Sequence, residues 1–260
     1  MPGPRTFTFL GTGTSVGVPM VCCPCEVCQS TDPRNHRFRC AVLIRTPAGN
    51  ILIDTPPELR LQLLRERVDR LGAVLYTHHH ADHLFGLDDL RPFAHFTGQP
   101  VPLYCTEEVE AHVRRVFAYA FDADDEKVSA NYLPKLEFHR ITSNPFGVLG
   151  QTITPIPLAH AAFKVLGFRI GNIAYCTDVS YIPDESWPRL QGLEVMVIDA
   201  LRHKPHPAHF SVRQALEVIE RVQPRQAYLT HMSHDIDYES LCRELPPHVK
   251  PAHDGLSFEF

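Results

Sequence analysis

His78-His79-His80-Ala81-Asp82-His83 constrains this chain more than any other stretch. Written with its free positions, His-x-His-x-Asp-His, it places three imidazoles and a carboxylate within six residues. Neutral imidazole and carboxylate are ligand types that Zn, Mn or Fe accept, and no thiolate is mixed in. The residues just before it, Ala73-Val74-Leu75-Tyr76, form a short apolar run of the buried-strand kind. The motif therefore leaves a strand end and enters a loop, where a rigid scaffold aims several side chains at one point. A solvated His-rich loop is the bland alternative. With 16 histidines in 260 residues, this spacing arises by chance in about a few cases per thousand.

Around the motif the chain alternates strand-like and helical patterns. Strand-like runs fall at 6–10, 41–45, 50–53, 73–76, 101–105, 136–140, 152–157, 165–170, 172–176, 194–198, 226–230 and 256–260. Helical patterns cover 57–68, 106–119, 211–222 and 238–245. Thr106 is placed to cap its helix ahead of Glu107 and Glu108, which favour the positive helix end. Ser211-Val212-Arg213-Gln214 fits a capping box. No repeat, low-complexity tract or linker interrupts residues 1–260, which read as a single domain. Strands in both halves, each half ending in helices, predict an α/β sandwich with helices covering two packed sheets.

Six polar residues interrupt this pattern at the same kind of place, just past a strand. They are Asp54, His78, His160, Asp178, Asp199 and His231. A single His or Asp there is ordinarily a turn residue. Ligands of sheet-based α/β proteins gather beyond strand carboxyl ends, so six recurrences mark one shared rim.

The charge balance argues against a nucleic-acid partner. Net charge is −5, and no Lys/Arg cluster of the duplex-binding kind appears. No segment reaches the ~18 apolar residues a membrane helix needs. Met1-Pro2-Gly3-Pro4-Arg5 runs into a strand without the apolar core of a signal peptide, so the expectation is cytoplasmic. Four of the eight cysteines, Cys22, Cys23, Cys25 and Cys28, crowd into seven residues, a metal-binding rather than a disulfide pattern in that compartment. Cys40, Cys105, Cys176 and Cys242 read as buried small hydrophobes.

Together, His-x-His-x-Asp-His, the isolated His160, Thr177-Asp178 and Leu229-Thr230-His231 make the chain resemble the metallo-β-lactamase superfamily. More narrowly it resembles the PhnP-type phosphodiesterases of the carbon–phosphorus lyase pathway. The narrower likeness lies in Cys23-Pro24-Cys25-Glu26-Val27-Cys28, Thr154-Pro155-Ile156-Pro157-Leu158-Ala159-His160 and Leu229-Thr230-His231-Met232-Ser233-His234. The resemblance spans nearly the whole chain and implies an αββα sandwich, two mixed sheets covered by helices. It implies one active-site metal on His78, His80 and His160, a second on Asp82, His83 and His231, and Asp178 bridging both. Either Mn or Zn suits these ligands. Asp54 matches a position that orients the histidine loop. A third ion, a structural zinc, is implied on Cys23, Cys25, Cys28 and His234, although Cys22-x-x-Cys25 leaves the first ligand open between Cys22 and Cys23.

The implied reaction is hydrolysis of small, cyclic phosphodiesters by a hydroxide shared between two metals, with 5-phosphoribosyl 1,2-cyclic phosphate one candidate. Asp82 would orient that hydroxide, and His209 would protonate the leaving oxygen, with His206 as its neighbouring substitute and His203 a weaker one. Lys164 is a candidate phosphate contact. A homodimer is also implied. The rivals are a PqqB-like role in cofactor biosynthesis and a metal-binding scaffold without catalysis. Transfer-RNA processing enzymes share the metal motif but use a basic arm, whereas this chain carries Phe121-Asp122-Ala123-Asp124-Asp125-Glu126, which would repel RNA.

Overall fold

The computed structural model describes residues 5–121 and 133–260. The chain start at 1–4 and the acidic stretch at 122–126, both used in the sequence reading, lie outside the described residues.

Strands β1 (Thr6–Gly11), β2 (Ala41–Thr46), β3 (Gly49–Ile53), β4 (Ala73–Leu75), β5 (Val101–Cys105) and β6 (Leu136–Arg140) lie side by side in chain order in one sheet. The second sheet runs in order from β7 (Phe146–Val148) through β8 (Gln151–His160), β9 (Phe163–Ile170), β10 (Ile173–Cys176), β11 (Val195–Asp199) and β12 (Gln226–Thr230) to β13 (Val249–Pro251). The last strand, β14 (Ser257–Glu259), returns to pair antiparallel with β1 at the edge of the first sheet. Each sheet is mixed. Pairing is antiparallel from β14 to β3 and parallel from β3 to β6, and in the second sheet antiparallel from β7 to β10 and parallel from β10 to β13.

The two-residue period of a strand explains the layering. Phe7, Phe9, Val42, Ile44, Ile51 and Ile53 face inward and meet Phe168, Ile173, Tyr175 and Val197 of the other sheet. The alternate residues Leu10, Leu43, Leu52 and Val74 face outward, under α1 (Leu59–Arg65), α3 (Arg91–Thr97) and α4 (Glu107–Val116). On the other side Ala174, Met196, Ile198 and Leu229 pack beneath α5 (Val212–Val222) and α6 (Tyr238–Glu244). The fold is an αββα sandwich. The two expected caps are present: Thr106 accepts from the Val109 amide, and Ser211 with Gln214 completes a capping box.

Several elements depart from the sequence reading. The short strands β7 and β13 and the helix α3 were not anticipated, and the helix expected at 57–68 is limited to Leu59–Arg65. The metal motif is not wholly loop, because Ala81–Leu84 forms one helical turn, α2. Cys40, Cys105 and Cys176 are buried as expected, but Cys242 is exposed on α6. A position on the outer face of an amphipathic helix needs no apolar partner, which explains that exception. No helix among the described residues is long and apolar enough to cross a membrane.

Candidate metal centre

The rim residues converge where the carboxyl ends of the two sheets meet. Asp54 follows β3, His78 follows the β4 segment, His160 ends β8, Asp178 follows β10, Asp199 ends β11 and His231 follows β12. Asp54, Asp178 and His231 all adopt left-handed backbone, with φ of 65°, 53° and 59°. Such a conformation is uncommon for residues with a side chain and concentrates at functional sites. It turns each side chain sharply off its strand end.

A hydrogen-bond relay determines which nitrogen each imidazole presents. Asp54 is fully buried and accepts from the Thr77 amide (2.9 Å), the Thr77 hydroxyl (2.8 Å) and His83 Nδ1 (2.8 Å). The Thr77 hydroxyl has one proton and gives it to Asp54, so at 3.0 Å it accepts from His78 Nδ1. His160 Nδ1 donates to the Ala208 carbonyl at 2.7 Å. Three rings are thereby locked with Nε2 bare, the form a metal ligand requires.

Two of these nitrogens are buried and have no hydrogen-bonding partner. His78 Nε2, His83 Nε2 and both nitrogens of His231 are buried without a hydrogen bond. They surround Asp178, whose Oδ2 lies 3.1 Å from His83 Nε2 and 3.3 Å from His231 Nδ1. Asp82 Oδ2 is 3.4 Å from His83 Nε2. Burying an imidazole nitrogen without a partner is costly, so several aimed at one carboxylate fit a cation between them. Ligand atoms of His78, His83 and Asp178, of Asp82, Asp178 and His231, and of His160, Asp178 and His209 each lie within 4.8 Å of one another. Asp178 is common to all three groups, as a bridging ligand must be. His83 stands between the two ligand groups rather than wholly with Asp82 and His231. His80 belongs to none of these tight groups, but its ring lies 4.5 Å from His78 and 5.2 Å from His160.

Proton affinities follow from this crowding. Burial lowers the basicity of His78 strongly, with the charge of His83 acting the same way. Burial likewise brings His231 down to about 4. His83 is pushed well above its usual range: burial opposes the charge, but Asp178, Asp82 and Asp54 outweigh it. Burial disfavours the Asp178 carboxylate, yet His231 and His83 hold it strongly ionised.

Asp199 stands out in the sequence as a strand-end residue with no evident partner. It accepts from His209 Nδ1 at 2.8 Å. The His209 ring stacks on His231 at 4.7 Å between centroids and lies 4.6 Å from His160. His206 is beside it, its ring 5.3 Å away, and its Nδ1 accepts from the Ala208 amide at 3.2 Å. His203 is exposed and turned toward Glu244. Lys164 is exposed and lines a cleft of about 700 Å³ with Thr77, His78, His79, Thr106 and Tyr181.

The second cluster is Cys23, Cys25, Cys28 and His234, whose ligand atoms lie within 4.8 Å of one another. His234 Nδ1 is 3.3 Å from the sulfurs of both Cys23 and Cys25. Cys22 is exposed, has φ of 63° and stands outside this group. Three sulfurs and one imidazole in a closed set are the donor chemistry of a structural zinc. The hydrogen bonds from His234 and from the Cys28 amide lower the Cys25 thiol to about 6. Arg37, which no motif in the sequence singles out, is a fully buried guanidinium that donates to the carbonyls of Ser233 (3.0 Å) and Ile236 (2.9 Å) and so braces the turn carrying His234.

Comparison with known proteins agrees with this geometry. Residues 49–232 match the family described as beta-lactamase superfamily domain. A crystal structure of a new diphosphatase from the PhnP family is 40% identical, with a TM-score of 0.93 over 100% of this chain and 98% of that one. The chain belongs to the PhnP family of the beta-lactamase superfamily. The matched family and the donor set of the two clusters together support metal-dependent hydrolysis. Zn(2+)-bound PqqB from Methylobacterium extorquens, at 18% identity, shares the fold, with a TM-score of 0.77 over 98% of this chain and 100% of that one. An octanoyltransferase of Porphyromonas gingivalis is 36% identical over 252 residues, covering 95% of this chain and 50% of that protein. The chain spans about half the length of that relative.

Proposed function

We propose that the protein is a dinuclear metal-dependent phosphodiesterase acting on small, cyclic phosphodiesters. The observation that carries this reading is the set of buried, unpartnered imidazole nitrogens around Asp178. His78, His80 and His160 would hold one divalent ion, Asp82, His83 and His231 the other, and Asp178 both. Zn and Mn each suit this nitrogen and oxygen set, and Cys23, Cys25, Cys28 and His234 would hold a separate zinc. When bound, a pair of divalent ions makes water acidic enough to give hydroxide near neutral pH and offsets phosphate charge.

The chain's own residues then divide the remaining work. Asp54 and Thr77 keep His83 and His78 in the ligating tautomer throughout turnover. Asp82, on the first turn past the histidine pair, is placed to orient the attacking water. His209 sits beside His160 and His231 with Nδ1 engaged, so its Nε2 is the atom that gives a proton to the leaving oxygen. His206 is less suited, because it lies farther out with its Nδ1 accepting from Ala208. The cleft of about 700 Å³ accommodates a small ester rather than a polymer, and Lys164 at its wall supplies one cation for a phosphate oxygen.

The test is a substrate panel of cyclic phosphodiesters, 5-phosphoribosyl 1,2-cyclic phosphate included, with phosphomonoesters and β-lactams for contrast. The proposal expects the cyclic diesters to be cleaved at least tenfold faster than either contrast class. Robust β-lactam hydrolysis without diester cleavage would overturn it.

A further inference from the structure

Phe163 is 47% exposed, yet it stands against the metal centre. Its ring lies edge-on to His80 at 5.0 Å between centroids, 6.3 Å from His79 and 6.5 Å from His160. A scattered exposed apolar side chain needs no explanation on a protein surface. An aromatic ring set beside two of the residues assigned to the ions does, because a substrate bound there comes to rest next to it.

The backbone holds the ring in that place. Only Ala161 and Ala162 join β8 to β9, and the register pairs His160 directly with Phe163. Directly opposed residues of antiparallel strands present their side chains on one face, so His160 and Phe163 face the metal centre together. The Ala161 amide donates to Ser180 Oγ at 3.0 Å, and the Ser180 amide donates to the Ala159 carbonyl at 2.8 Å. The hairpin turn is thus tied to the segment that follows Asp178, and Phe163 rides on a rigid element rather than on a free loop.

Charge says what kind of group the ring receives. Lys164 is the one lysine or arginine among the described residues lining the cleft of about 700 Å³, which also carries Glu107, Glu108 and Glu185. Arg140 meets Glu107 at 2.8 Å, so the balance of the wall is Glu108 and Glu185 against Lys164. With Lys164 engaged by the reacting phosphate, a second phosphate would enter a negative surface. A neutral ring meets no such opposition, and laid on Phe163 it covers apolar area that is otherwise left in water.

We propose that Phe163 is the platform of a substrate subsite for a neutral, planar ring, so that the preferred cyclic diester carries an aromatic substituent and no second phosphate. The inference deepens the phosphodiesterase reading given above and rests on it. Stacking on an aromatic side chain is worth about tenfold to a hundredfold in affinity. It acts on substrate and transition state alike, so it is read in KM rather than in kcat.

The experiment uses metal-loaded protein and three esters with the same reacting atoms: phenyl β-riboside 2,3-cyclic phosphate, its methyl counterpart, and the methyl counterpart phosphorylated on the 5-oxygen. The wild type should favour the phenyl over the methyl ester by about tenfold to a hundredfold in kcat/KM, the difference lying in KM. It should cleave the 5-phosphorylated ester more slowly than the methyl one. Phe163→Ala and Phe163→Leu should bring the phenyl-to-methyl ratio near one with wild-type metal content, and Phe163→Tyr should keep it. A wild-type ratio near one, a ratio that survives in Phe163→Ala, or a faster reaction of the 5-phosphorylated ester would overturn the subsite. So would equal losses on both riboside esters, which would make Phe163 a support for His80 and His160. In each of these cases cleavage of the cyclic esters leaves the phosphodiesterase reading standing. Cleavage of none of the three by the wild type would overturn that reading and the subsite with it.

Discussion

Asp54→Asn probes the relay that presents the metal ligands. The wild-type carboxylate accepts three hydrogen bonds, one on Oδ1 and two on Oδ2, in a fully buried site. An asparagine offers one acceptor oxygen and one NH₂. If its oxygen serves Thr77 Oγ1 and His83 Nδ1, its NH₂ is pressed against the Thr77 amide, donor to donor. In the reverse orientation both of the other bonds are lost. At least one bond to a charged group disappears and a buried donor is left unpaired, for a destabilisation of about 1.5–3 kcal/mol. In either orientation His83 loses its carboxylate partner, keeping at most a neutral amide oxygen, and loss of such an outer partner weakens metal binding about 10- to 100-fold, or ~1.4–2.8 kcal/mol. Urea unfolding of the wild type and the variant gives the first quantity, and chelator competition for the active-site ions gives the second. Wild-type metal affinity in a folded Asp54→Asn protein would refute the relay.

Three further outcomes follow from the same structure. Cys25→Ser removes a thiolate from the zinc cluster, so zinc content by elemental analysis and thermal stability should fall more than the specific activity of the folded fraction, because binding energy there is folding energy. Acidification should also release this zinc. The Cys25 thiol is depressed to about 6, so the stability carried by its thiolate is present above the ordinary thiol range and is lost as pH falls through 6. Bound zinc competes with protons and moves the midpoint lower still, so a release midpoint above pH 7 in a chromogenic chelator assay would contradict the assignment. Lys164→Ala, on the exposed wall of the cleft, should raise KM about threefold to tenfold and leave kcat nearly unchanged, as loss of uniform binding does. A fall in kcat without a change in KM would give Lys164 a different role.

The ligand rim was legible because each of its members breaks an apolar strand pattern at a carboxyl end. Asp54, Asp178 and His231 are each preceded by buried residues of β3, β10 and β12, and the polarity change is visible in one dimension. The relay was not legible. It depends on Thr77 standing between Asp54 and His78, and the 23 residues separating Asp54 from Thr77 come together only through the parallel pairing of β3 with β4. Asp199 stood out as a strand-end residue, but its partner lies ten residues on, across an irregular loop. Phe146-Gly147-Val148 and Val249-Lys250-Pro251 are too short to show a two-residue period, and the second contains a proline, which suits an edge position such as that of β13. Cys22 and Cys23 are alike in spacing terms. Backbone direction separates them: Cys22 turns outward in left-handed conformation, and Cys23 reaches His234.

Metal reconstitution tests the central claim most directly. The active-site ions are removed by mild chelation that leaves the thiolate-bound zinc in place, and Zn or Mn is returned in steps. Hydrolysis of bis(p-nitrophenyl) phosphate is followed against the number of ions bound per chain. The account predicts no turnover with the thiolate-bound zinc alone and full turnover only when two further ions are bound. Full turnover with the thiolate-bound zinc as the sole ion, or turnover indifferent to chelation, would contradict it.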